Sequence, residues 1–254
     1  MIDALYLGVS GMSSQQKQID AIAHNLTNMN TPGFKATRVQ FHEVMNKAFA
    51  ADATGAAGLQ PAGVAAGALQ FDFSQGSLQK TGSAADLAID GVGFLKVTMP
   101  DGSVAYTRGG TLTTDENGVV VTQQGYPLEP RVQMPTNATS MKIYADGRVE
   151  AQFSDNSQPT EIARLELVRF ARADALEGMG SGLFRSTEAS GEAQSGAAGQ
   201  EGMGVLAQGH LEGANVSMIN EMTQLMLAQR AYEMSSKLVQ TADELMGMTN
   251  NLRR

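Results

Sequence analysis

Residues 2–26 read IDALYLGVSGMSSQQKQIDAIAHNL, and residues 231–252 read AYEMSSKLVQTADELMGMTNNL. In the first, Ile2, Leu5, Val9, Met12, Ile19, Ala23 and Leu26 recur at alternating spacings of three and four, with Gln16 as the one polar interruption. In the second, Ala231, Met234, Leu238, Ala242, Leu245, Met248 and Leu252 also recur at spacings of three or four. Such spacing lays one apolar stripe along a helix, and the stripe must be buried against something. Each helix is expected to run about 25–40 residues, ~40–60 Å at the usual rise. The termini are expected to pack on each other and leave apolar surface for other copies, with Ile2, Leu5, Val9, Met12, Ile19, Leu26, Ala231, Tyr232, Met234, Leu238, Leu245, Met248 and Leu252 as the expected self-assembly interface. The expected fold is α+β: long N- and C-terminal helices forming a coiled-coil polymerisation domain, with a β-rich central domain between them.

Composition narrows the class. The chain has 254 residues, 42% hydrophobic and only 17% charged, with 28 Gly and no Cys or Trp. Without Cys, disulfides give no information on redox compartment. The start, Met1-Ile2-Asp3-Ala4, has no basic region before Lys17, and no apolar run approaches the ~18 residues of a membrane span. The reading is a soluble chain without membrane insertion, which leaves the cytoplasm, if at all, without a cleavable signal peptide. The net charge of −8 lies entirely between the ends: residues 1–35 and 215–254 are each neutral, which leaves 20 acids and 12 bases in the middle. Neutral helical ends can crowd together without repulsion, and an acidic middle disfavours nucleic acid. The surplus serves solubility equally well.

Along the chain, the first helix is expected to stop near Asn28-Met29-Asn30-Thr31-Pro32-Gly33. A short helix is expected at 37–49, then a weakly structured Ala/Gly stretch at 50–68, ordered only by neighbouring copies. From about Leu69 to Phe170 short strands alternate with the turn dipeptides Asp90-Gly91, Asp101-Gly102, Asn117-Gly118 and Asp146-Gly147. A second loose stretch follows at 186–204, and Asn215 reads as the N-cap of the last helix. The domain reading is 1–35 with 213–254 as the terminal helical domain, 36–70 with 185–212 as extended arms, and 71–184 as the β-rich centre.

Catalytic patterns are missing from the sequence. His24, His42 and His210 are far apart, and His42-Glu43 lacks the second His of a zinc-protease motif because position 46 is Asn. Gly91-Val92-Gly93 begins a dinucleotide fingerprint, but its third Gly position holds Lys96, and its flanks suit a hairpin better. No catalytic, cofactor-binding or metal site is expected. The 15 Met, six of them in residues 215–254, read as adaptable packing groups, and Tyr232 as an interface or core residue.

Three blocks carry a resemblance. They are Asn25-Leu26-Thr27-Asn28-Met29-Asn30-Thr31-Pro32-Gly33-Phe34-Lys35; Asp86-Leu87-Ala88-Ile89-Asp90-Gly91-Val92-Gly93-Phe94 with Tyr106-Thr107-Arg108-Gly109-Gly110; and Glu212-Gly213-Ala214-Asn215-Val216 with Gln229-Arg230-Ala231-Tyr232-Glu233. Together they resemble the signatures of the flagellar basal-body rod and hook proteins, over nearly the whole chain. His24, Thr27, Leu95 and Ala214 are mild departures. Ala4-Leu5-Tyr6, Gly11 to Gln16 and the arm from Gly58-Leu59-Gln60 through Gly76-Ser77-Leu78 are most similar to the distal-rod type, while the shortness and Ala content of that arm leave proximal rod types open. The resemblance implies a non-enzymatic subunit of a helical tube that spans the periplasm and carries motor torque to the hook. It implies as partners other copies, other rod proteins, the hook protein, the outer bushing rings and the flagellar type III export apparatus. It also implies terminal helices lining the tube. A closed coiled-coil scaffold is the alternative from another class, and an enzyme with a β-rich centre the third.

Overall fold

The computed structural model describes residues 2–47, 59–153 and 158–252. The chain divides into two compact units. One comprises Met1–Thr27, Thr37–Gln70 and Ser217–Arg254, the other Asn28–Ala36 and Phe71–Val216.

The first unit holds helices α1 (Ile2–Thr27) and α2 (Met218–Leu252) and a two-stranded sheet of β1 (Thr37–Lys47) and β2 (Leu59–Phe71). The helices run antiparallel: Gly8 lies beside Val239, Gly11 beside Ser235, and Asn25 beside Glu221. A Cβ on Gly8 would stand 2.5 Å from Val239 Cγ2, so the two backbones approach more closely than side chains allow.

This is not the coiled coil that the heptads predict. A coiled coil seats large apolar knobs in holes of the facing helix. Here Val9, Met234, Leu238, Leu245 and Met248 are all more than half exposed, and Met12, Ile19 and Leu26 are only partly buried. The side chains of Ile2, Leu5 and Leu252 lie outside the described residues. The buried positions of α1 include Gly8, Ala21, Ile22 and Asn25, while the expected stripe runs through Val9, Ala23 and Leu26. A shift of one residue turns the face by about 100°. The exposed apolar residues of α2 also keep the wrong period for a supercoil. From Ile219 to Met248 is 29 residues, close to eight turns at ~3.6 per turn, where a supercoil needs ~3.5. The architecture is α+β, with two terminal helices and a β-rich middle.

Two further expectations change. Residues 37–47 form β1, not a helix. Thr37, Val39 and Phe41 alternate with Arg38, Gln40 and His42, a period of two that a helix would scatter around its circumference. The loose stretch expected at 50–68 is β2 from Leu59 onward, and residues 48–58 lie outside the described ones. Small residues make this strand possible. Gly63, with φ +122°, faces the Ser10 side chain, and Ser14 Oγ donates to the Val64 carbonyl at 3.3 Å.

The second unit is a set of antiparallel sheets. A five-stranded sheet runs in the order Glu177–Gly180, Leu183–Arg185, Val104–Thr107, Leu95–Thr98, Leu128–Glu129. A four-stranded sheet runs Val205–Gln208, Asp86–Asp90, Gly109–Thr114, Val120–Thr122. Ala138–Ile143, Arg148–Phe153 and Thr160–Arg164 make a third. Asp101-Gly102, Asn117-Gly118 and Asp146-Gly147 each join paired neighbours. Asp90-Gly91 does not make the expected hairpin, because the strands on either side of it belong to different sheets. Residues 185–212, where the sequence reading places an arm, carry strands: Val205–Gln208 of the four-stranded sheet, Gln194–Ala197 paired with Glu166–Arg169, and His210–Glu212 paired with Leu78–Lys80. The core is made by Leu87, Ile89, Leu95, Val97, Val149, Leu165 and Leu167, each at most 1% exposed. A second cluster stacks Phe94, Tyr106, Phe170 and Phe184 edge to face, with Phe71 and Phe73 against it.

Candidate functional site

In the helical unit, α2 has two unlike sides. The side towards α1 carries Glu221, Ala228, Ala231, Ser235, Val239 and Ala242, none of them exposed. At about 100° per residue, the opposite side carries Ile219, Met222, Met226, Met234 and Met248, with Leu227 and Leu238 at its border. These range from 50 to 78% exposed. Tyr6 and Val9 on α1, and Phe41, Val64 and Leu69 on β1 and β2, add further exposed apolar groups. A monomer gains nothing by holding so many large apolar groups in water, and a contiguous patch of this kind marks an interaction surface. Of the residues singled out from sequence, Met234, Leu238, Leu245 and Met248 are exposed on α2, whereas Ala231 is half-buried against α1. Gln229, Arg230, Tyr232 and Glu233 are exposed too, with an Arg230–Glu233 ion pair at 3.0 Å.

One polar group pins this unit. The Asn25 amide donates to the Thr37 carbonyl at 2.9 Å and to Glu221 Oε2 at 3.3 Å, and its oxygen accepts from the Thr37 amide at 2.8 Å. Asn25 is 3% exposed and Glu221 7%. The end of α1, the start of β1 and the first turn of α2 are thereby fixed together. A carboxylate in the first turn also suits the positive end of the helix dipole.

The β-sheet unit holds a buried ion triad that sequence reasoning does not single out. Glu212 Oε1 accepts from Lys35 Nζ at 2.7 Å, and Oε2 accepts from Arg108 Nε at 3.1 Å. All three side chains are at most 4% exposed. Further hydrogen bonds hold the triad: Lys35 donates to the Ser74 carbonyl, Arg108 to those of Gly93 and Ile89, and the Gly76 amide donates to Glu212. Burial pushes the Glu212 carboxyl up, but Arg108 and Lys35 outweigh it and hold it below the usual range. Burial lowers Lys35 more than Glu212 raises it. The only available signal was a charged residue in each of three motif blocks, which sequence cannot place side by side.

The other motif residues support this region. Gly33, Gly91 and Gly93 all have positive φ, and the Gly33 amide donates to the Glu212 carbonyl at 2.7 Å. Leu26, Phe34 and Val216 are half-buried, and the Thr31 amide donates to the Asn28 carbonyl in the turn after α1. Asp86 accepts from Thr81 and Thr111, while Leu87, Ala88 and Ile89 are fully buried in their strand. Asn215 is not the N-cap of α2, which begins three residues later. Its amide donates to the Asp72 and Ser74 carbonyls, and its oxygen accepts from the Ala36 amide.

Comparison with known proteins follows the same three blocks. Residues 5–35 match the family described as flagella basal body rod protein, 88–151 the flagellar hook protein FlgE/F/G D1 domain, and 207–252 the flagellar basal body rod FlgEFG protein C-terminal. The chain is 40% identical to the flagellar basal-body rod protein FlgG of Borreliella burgdorferi, over all of both chains. It is 36% identical to the FlgG of Caulobacter vibrioides, over 99% of this chain and all of that one. The FlgG of Bacillus subtilis is 34% identical, over the full length of both.

The chain belongs to the flagellar basal-body rod protein family. As a member of the rod family it is a structural subunit of the flagellar basal body. The buried triad takes one residue from each matched segment: Lys35 ends the first, Arg108 lies in the second and Glu212 in the third. Among the described residues of this rod-family chain, no helix is long and apolar enough to cross a membrane.

Proposed function

We propose that this chain is the distal-rod subunit, polymerising into a helical tube that transmits motor torque to the hook. Full-length likeness to rod proteins named FlgG supports the distal type. The observation that carries the polymerisation reading is the outer side of α2, from Ile219 to Met248, apolar and exposed over eight turns while the inner side is packed. Covering a Leu- or Met-sized side chain contributes about 1.5–3 kcal/mol, so repeated contacts along such a face make a stiff assembly. The β-sheet unit, complete within one chain, is free to meet other components such as outer bushing rings. Other rod proteins and the hook protein are proposed neighbours along the axis. Export through the flagellar type III apparatus, and a rod that spans the periplasm, complete the reading.

A rod protein named FlgF, 31% identical over 96% of this chain, supports a second reading, a neighbouring rod subunit of the same axial family. Electron microscopy of the purified chain at high concentration tests the main reading. Open-ended tubes are expected, and a single closed oligomer would overturn it.

A further inference from the structure

Five of the side chains on the outer half of α2 are methionines: Met218, Met222, Met226, Met234 and Met248, each between 46 and 67% exposed. At about 100° per residue, Met218 to Met248 span less than half of the helix circumference, on the side away from Ala228 and Ser235. Elsewhere among the described residues only Met179 is comparably open, at 40%, and Met203 is buried at 7%. Thioether sulfur is thus concentrated on the face to which assembly has been assigned, and it is open to solvent as long as the subunit is alone.

We propose that these five methionines form an oxidation-sensitive patch, whose conversion to sulfoxides by peroxide holds the free subunit out of the assembly. The proposal rests on the polymerisation reading above. The chemistry needs hydrogen peroxide as oxidant. The sulfur lone pair attacks one peroxide oxygen, the S–O bond forms and the O–O bond breaks. The departing hydroxide takes up the proton and leaves as water. Each sulfur is oxidised by two electrons and the peroxide is reduced by two. The product is a polar sulfoxide on a flexible stem, which must be desolvated when the face is covered and finds no donor among neighbouring Ile and Leu side chains. Oxidation of an assembled subunit is slower, since its sulfurs are covered. The order of events therefore decides the outcome: peroxide before assembly blocks it, and peroxide afterwards does not.

The test treats the full-length chain with hydrogen peroxide before or after assembly, maps sulfoxides by peptide mass spectrometry, and reads assembly by light scattering and microscopy. The five methionines are expected to oxidise ahead of Met203 in the free subunit, and to raise the concentration needed for assembly by about tenfold or more. Methionine sulfoxide reductases acting on both epimers restore assembly. A variant with all five replaced by Leu assembles and ignores peroxide. If the five sulfoxides are present and assembly is unchanged, the proposal is overturned. If the five sulfurs oxidise no faster than Met203, it is equally overturned. Leu238→Asp separates the two levels. If that variant assembles like the parent, the assignment of assembly to this side of α2 fails. If it does not assemble while the fully oxidised chain does, only the oxidation proposal fails. Should the five-Leu variant misfold, the mapping and the reductase reversal on the unaltered chain still decide.

Discussion

Among the described residues, sixteen large apolar side chains stand exposed in the helical unit, against three in the β-sheet unit, Val92, Met179 and Val205, although the sheet unit holds more residues. Charge is distributed the other way. The sheet unit buries Lys35, Arg108 and Glu212 with every polar atom paired, while Glu221 is the one charged residue that the helical unit buries among the described residues. The difference teaches how labour is divided along the chain. A unit that closes its core and its ion network within one copy is stable alone. A unit that leaves one side of a 35-residue helix apolar in water reaches its lowest free energy only when other copies cover it.

Four substitutions sharpen or break that contrast. The largest effect is expected from Glu212→Gln, which leaves two cations buried without a counter-charge. Breaking such a pair costs about 3–5 kcal/mol, which lowers the melting temperature of the sheet unit by about 6–20 °C. The wild-type chain should show the same weakness in acid. The folded-state pKa of Glu212 lies below its ordinary value of 4.5, so its contribution is present above that value and lost as pH falls through the lowered one. A melting series from pH 6 to pH 2, with Glu212→Gln flatter than the parent below about pH 4.5, checks the assignment.

Gly8→Leu comes next. Its side chain has no room beside Val239, and overpacking costs about 1–3 kcal/mol. Hydrogen exchange should rise in α1 and α2 and stay unchanged in the strands from Asp86 to Gln208. Uniform change across both units would erase the distinction drawn between them. Asn25→Ala removes the partner of the Thr37 amide and of Glu221. A buried group left unsatisfied costs about 1–3 kcal/mol, with exchange expected to rise first at the start of β1 and the first turn of α2.

Much of this division is legible in the sequence, for reasons that particular residues make clear. Strand alternation and the turn dipeptides at 101–102, 117–118 and 146–147 are local signals, and local signals survive in a linear chain. The two terminal helices are legible because their apolar residues repeat over many turns. Their pairing is not. Val9 and Leu238 look like central interface residues by hydrophobicity, but both are more than half exposed, only the end of Leu238 reaches Gly8, and the close approach runs through Gly8, Gly11, Ser235 and Val239, whose small size carries little weight in an apolar pattern. One periodic stripe therefore spans both sides of the helix: Ala231 and Ala242 lie towards α1, while Met234 and Met248 stand exposed. Likewise β1 reads as helix because its propensities are mixed, and the partner β2 that stabilises it looks like a Gly/Ala tether. The triad escapes for another reason. Lys35, Arg108 and Glu212 lie up to 177 residues apart, and only the fold brings them together.

The smallest effect on stability, and the largest on function, is expected from Leu238→Asp. Leu238 is 51% exposed, and an exposed substitution of this kind usually changes stability by no more than about 0.5 kcal/mol. In an assembly, however, the new carboxylate would be buried unpaired at every repeat. Sedimentation and electron microscopy of this variant beside the parent, with melting curves of both, test the central claim. The expected result is a variant that melts like the parent, stays monomeric and forms no tubes under conditions where the parent polymerises. Tubes of normal yield and stiffness from Leu238→Asp would contradict the assignment of the outer side of α2 as the assembly surface.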